Sequence, residues 1–81
     1  MVTYFVVQSW QLGRKGVLIP DDAMEAPSEQ AAAARARFLA ATRAGAIAFA
    51  RTGDPDLGVW EDAVVLCQHG LVPTDLMELA G

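Results

Sequence analysis

From Val2 to Leu12 the chain is rich in β-branched and aromatic residues that fall on both faces of an extended strand. Phe5 and Val7 share one face and Tyr4, Val6, Trp10 and Leu12 the other, the pattern of a central strand with cover on both sides. Gly13-Arg14-Lys15-Gly16 has the composition of a short hairpin loop, after which Val17-Leu18-Ile19 resumes the strand. Pro20 supplies no N–H, so the second strand is expected at an edge, or broken by a bulge near Asp21-Asp22 before it continues through Met24 to Ala26.

The period then changes. Pro27-Ser28-Glu29 reads as a helix start with Ser28 as N-cap and Glu29 at the positive end of the dipole. High-propensity alanines carry the helix to about Ala44, with Gly45 as its C′ residue. Phe38 lies near Ala31, Ala34 and Ala41 by helical spacing, and that stripe is expected to face the sheet. A third strand, Ala46 to Thr52, sends Ile47, Phe49 and Arg51 to one side and alanines to the other, the alanine side beneath the helix. Gly53 to Gly58 is a turn, and Val59-Trp60-Glu61 returns. Ala63–Gln68 could extend that strand, but Asp62 before it and Gly70 after it look like the two caps of a short C-terminal helix, the reading favoured.

These elements compose one α+β domain over 1–81, β-β-α-β-β in two layers, with 74–81 as an acidic tail that forms one terminal turn or frays. A right-handed crossover puts strand three parallel to strand two with strand one between them, an antiparallel sheet of order 2-1-3-4. A chain of 81 residues buries only about 60 to 65% of its unfolded surface, so each large apolar residue counts. The expected core is Tyr4, Phe5, Val6, Val7, Trp10, Leu12, Val17, Leu18, Ile19, Phe38, Leu39, Ile47, Phe49, Trp60, Val64, Val65, Leu66 and Leu71.

Charge narrows the function classes. The net charge of −4 is unevenly spread: residues 1–20 carry +2, 21–29 carry −4, 30–53 carry +4 and 54–81 carry −6. Nucleic-acid binding needs a basic surface, which the acidic last third does not offer, while opposite blocks attract within the fold or between subunits. No apolar run reaches bilayer length and Met1–Tyr4 lacks the basic start of a secretory signal, so a cytoplasmic protein without membrane contact is expected. One cysteine, Cys67, and one histidine, His69, cannot supply a disulfide or a zinc site alone.

The candidate chemistry is sparse. Arg51 and Asp54 flank Thr52-Gly53 and could pair across the turn, or Arg51 could hold an anion together with Thr52, Gly53 and Asp54. Ordinary turn chemistry accounts for the glycines, Pro55 and the acids equally well. Asp54-Pro55-Asp56 opens like a calcium loop, but glycine comes one position early and Val65 stands where the closing glutamate belongs, so no metal is expected. Cys67 and His69 diverge by about 200° on a helix and share a face on a strand, and neither has an orienting third residue. Trp10 and Trp60, with Tyr4, are the aromatics suited to anchoring a protein interface.

Tyr4-Phe5-Val6-Val7-Gln8, Ala48-Phe49-Ala50-Arg51-Thr52-Gly53-Asp54-Pro55 and Gly70-Leu71-Val72-Pro73 resemble a group of small uncharacterised bacterial proteins, a resemblance that implies no activity. The first hairpin, Ile19-Pro20-Asp21 and the alanine-rich helix also resemble small antitoxins with a partial ribonuclease-H fold, without a DNA-binding appendage.

No constellation supplies a nucleophile, a base and a charge stabiliser together. The expectation is a non-catalytic protein-interaction or regulatory module, without catalytic residues or a cofactor, that binds a protein partner or self-associates through a sheet edge or an aromatic patch. The alternatives are a small-ligand or anion binder, or minor enzyme, built on the Arg51–Asp54 turn, and an antitoxin-like regulator.

Overall fold

The computed structural model describes residues 1–73. The expected fraying of 74–81 lies outside the described residues. The described residues form a small α+β domain in which one α-helix packs on an antiparallel sheet of six strands.

Strand β1 (Val2–Leu12) is the central ribbon, paired along its length with β4 (Gly45–Asp54) from Val2↔Gly53 to Trp10↔Gly45. On the other side of β1 lie β2 (Leu18–Pro20) and β3 (Met24–Ala26). Their registers differ by one residue, because Trp10 faces Pro20 while Val7 faces Met24. The extra residue falls in Asp21–Ala23, where the sequence places a bulge. The outer side of β4 is shared by β5 (Val59–Trp60) and β6 (Val64–Gly70). Leu66 is the unpaired residue of a second irregularity, between the pairs Phe49↔Val65 and Ala48↔Cys67.

The expected C-terminal helix is therefore a strand, and the sheet has six strands where the pattern predicts four. Val64-Val65-Leu66-Cys67 favours a pleated surface, and the bare flank of β4 offers a ladder for every backbone group, whereas an isolated turn of helix has little to pack on. Gly70, expected as a helix stop, ends β6 with a positive φ of 68°.

Helix α1 (Glu29–Ala40) starts as expected, with the Ser28 hydroxyl accepting from the Ala31 amide at 3.1 Å. It stops four residues before the expected end. The Arg43 N–H closes on the Leu39 carbonyl at 2.8 Å, and the Ala44 N–H is already given to Trp10 O at 2.9 Å, so the chain has joined the sheet. Gly45 is thus not a helix cap but the first residue of β4. A side chain there would strike the carbonyl of Leu71, so glycine serves close approach rather than helix termination.

The helix is also turned relative to expectation. Ala32, Ala36 and Leu39 meet Val7, Ala46 and Ala48, which puts the alanine side of β4 beneath α1. Phe38 instead points outward and is 68% exposed. The 31-34-38 and 32-36-39 stripes are adjacent, and two flat alanines followed by leucine let the helix sit closer than a phenyl ring does. On the opposite, helix-free face Trp10, Ile47 and Phe49 form a second cluster with Val6, Leu18, Ala63 and Val72 beside it. Leu12, Val17, Ile19, Val64, Val65 and Leu71, all expected in the core, are exposed. A single 12-residue helix covers too little of the sheet to bury them.

Candidate functional site: an arginine on an aromatic ledge

Strict alternation along β4 decides what surrounds Arg51. Ile47, Phe49 and Arg51 lie on the helix-free face, and the register places Tyr4 directly across from Arg51. Trp60 pairs with Gly53 two residues further on the same face. A Cβ on Gly53 would lie 2.6 Å from Trp60 Cε3, so the missing side chain lets the indole lie flat along β4. The Trp60 ring then reaches both neighbours. Its centroid is 5.7 Å from that of Tyr4, tilted by 40°, and the Arg51 guanidinium carbon is 5.0 Å above it.

Within this ledge the Arg51 Nε is buried and has no hydrogen-bond acceptor. Among the described residues the one ion pair is Arg43–Asp21, and none of their carboxylates pairs with Arg51. Placed over an indole with its Nε buried, the guanidinium keeps its terminal N–H groups for an acceptor from outside.

The other residues of the expected turn site do not converge with Arg51. Thr52 lies on the opposite face, where its hydroxyl meets that of Thr3 at 2.8 Å. Gly53 is covered by Trp60. Asp54 turns its carboxylate to the backbone N–H groups of Asp56 at 3.0 Å and Leu57 at 3.4 Å, an Asx turn that shapes the 55–58 loop. Of the two interface candidates, Trp60 forms the ledge, whereas Trp10 is only 1% exposed and belongs to the core. Cys67 and His69 share the helix side of β6, with Cys67 packed on the core beneath α1. Among the described residues no three His, Cys, Asp or Glu side chains are grouped to hold a metal ion, and no helix is long and apolar enough to cross a membrane.

A second polar cluster went unread in the sequence. Asp21, in the bulge between β2 and β3, accepts hydrogen bonds from Ser9 Oγ at 2.7 Å, Gln11 Nε2 at 2.7 Å and Arg43 Nε at 3.1 Å. Its carbonyl accepts from Gln8 Nε2. Ser9, 3% exposed, is the buried polar residue of the described core. The Gln11 amide foremost, then the Ser9 hydroxyl and the charge of Arg43, hold the Asp21 carboxyl below its ordinary range against some desolvation. Both carboxylate oxygens of Asp21 and its carbonyl are taken by partners within the chain, which ties the bulge to the end of α1.

No family model matches this chain, and comparisons with curated proteins and with solved structures gave no match.

Proposed function

We propose that this protein is a non-catalytic interaction module whose contact surface is the helix-free end of the sheet, centred on Tyr4, Arg51 and Trp60, and that its partner presents a carboxylate from an acidic protein segment. The observation that carries this reading is the unpaired guanidinium on the Trp60 ring. With the Nε buried, the terminal N–H groups of the guanidinium are the ones within reach of a partner, and a bound carboxylate supplies them with charge and acceptors. Aromatic and arginine side chains together are the composition of interface anchors.

Of the two routes to association read from the sequence, the aromatic patch is the better supported. Both sheet edges carry features that blunt strand addition: Pro20 and the Asp21–Asp22 bulge beside β2, and the Glu61–Asp62 interruption with the Leu66 bulge along β5 and β6. The small-ligand alternative needs Arg51 and Asp54 together, and these lie on opposite faces.

The test is a titration with a hexaglutamate peptide followed by tryptophan fluorescence, with hexalysine as the control. Trp60 emission is expected to change with the acidic peptide only, and Arg51→Ala is expected to abolish the change. Arg51→Lys keeps the charge but loses the planar fork, so it should weaken binding at least about tenfold. An equal response in Arg51→Ala, or none in the wild type, refutes the reading.

A further inference from the structure

The end of the described chain runs onto the face that carries Arg51. Gly70, with its positive φ of 68°, turns the chain out of β6, and the Leu71 backbone then lies over Gly45, where a Cβ would strike its carbonyl. Position 45 shares the phase of Ile47, Phe49 and Arg51, so Leu71 has crossed to the helix-free face. Val72 follows it there and packs beside Trp10, Ile47 and Phe49. Ile47 is 0% and Trp10 1% exposed, although α1 lies on the other side of the sheet. An antiparallel sheet with a helix on one side leaves its second face to water unless more chain is laid over it.

Residues 74–81 are the chain available for that layer. They hold Asp75 and Glu78, no basic residue, and the apolar Leu76, Met77 and Leu79. Length selects between the two acids. Arg51 lies about 20 Å beyond Gly45 at the rise of a strand. An extended chain leaving Leu71 at about 3.3–3.6 Å per residue has gone only about 13–14 Å at Asp75, but about 23–25 Å at Glu78. Leu76 and Glu78 share one side of an extended segment, so the side that meets Arg51 also lays Leu76 toward the Phe49 end of the apolar cluster.

We propose that residues 74–81 run along this face beside β4 and set the Glu78 carboxylate on the Arg51 guanidinium, so that the chain's own acidic segment holds the ledge until a partner's carboxylate displaces it. The proposal rests on the reading of the ledge as a carboxylate site and adds its regulation. None of the described carboxylates pairs with Arg51, and a guanidinium binds a carboxylate through paired N–H groups. A tethered carboxylate acts at an effective concentration on the order of millimolar, enough to hold off a weak single acid and too little to exclude a partner with several.

The test compares the whole chain with Glu78→Gln and Asp75→Asn, which remove the same charge from neighbouring positions of one segment. Without peptide, the Arg51 Nε–H signal in a nitrogen–proton NMR spectrum is expected to move in Glu78→Gln and to stay in place in Asp75→Asn. With the competitor gone, Glu78→Gln is expected to lower the hexaglutamate dissociation constant at least about threefold. An Arg51 signal unmoved by Glu78→Gln, or moved equally by Asp75→Asn, overturns the proposal, and hexaglutamate still binding the wild type then leaves the ledge reading intact. An unchanged dissociation constant in Glu78→Gln overturns it as well. A signal that moves in Glu78→Gln alone, in a protein that hexaglutamate does not bind, upholds the contact and refutes the outside partner.

Discussion

Arg51 is the residue whose chemistry the fold leaves incomplete. Its stacking on Trp60 offsets part of the cost of the buried, unpaired Nε, since a cation over an indole gains about 0.5–1 kcal/mol and an unsatisfied donor costs about 1–3 kcal/mol. Arg51→Met keeps an unbranched stem on the ring and removes the orphan donor. Urea denaturation is therefore expected to find that variant as stable as the wild type or up to about 1 kcal/mol more stable; a clear loss would mean that Arg51 serves the fold. Gly53 is its structural counterpart. Gly53→Ala drives a methyl against Trp60 and the Val59 backbone and should cost about 1–3 kcal/mol, with Trp60 emission altered even without peptide. Asp21 predicts a pH dependence. Its carboxyl titrates lower in the folded chain than in the unfolded one, so its contribution is complete above the unfolded-state value near about 4 and is lost as pH falls through the folded-state value. Asp21→Asn should flatten the stability curve in that acid window, which denaturation midpoints between neutral and acid pH would check. Arg51 stood out in the sequence because it flanks Thr52-Gly53 opposite Asp54, at the edge of a turn. Tyr4 was read as an aromatic of the interface but not as a neighbour of Arg51, a pairing set by strand register, and the Asp21 cluster went unread because it forms where a bulge meets the end of a helix.

At the scale of elements, the sequence carried the period of each segment better than its orientation. The strand period of β1 and β4, the hairpin between β1 and β2 and the Ser28 start of α1 follow from local chemistry and are present in the fold. The facing stripe of α1 does not follow from local chemistry, because two neighbouring alanine-rich stripes satisfy the helical period and only packing against Val7, Ala46 and Ala48 selects 32-36-39. The assignment predicts a contrast: Leu39→Ala should cost about 2–5 kcal/mol, while Phe38→Ala should stay within about 0.5 kcal/mol of the wild type. Chemical denaturation of both variants reads the difference directly. Cap-like residues misled the reading of 62–69, since Asp62 and Gly70 also suit the interruption before β6 and the turn after it. The free flank of β4 decided the outcome, and a flank is a property of the assembled sheet.

The molecule as a whole divides its two faces between different tasks. Beneath α1, small residues close the core tightly; on the other face, Trp10, Ile47 and Phe49 anchor a second cluster that leads along β4 to the Tyr4–Arg51–Trp60 ledge. The exposed helix side and the ledge lie on opposite sides of the sheet. The central claim is that the ledge binds carboxylate. The most direct measurement is a nitrogen–proton NMR titration with hexaglutamate that follows the Nε–H of each arginine and the two indole N–H groups. Shifts concentrated at Arg51 and Trp60, with Arg43 and the buried Trp10 unmoved, are the predicted result; uniform small shifts at every arginine, or none at Arg51, would contradict it.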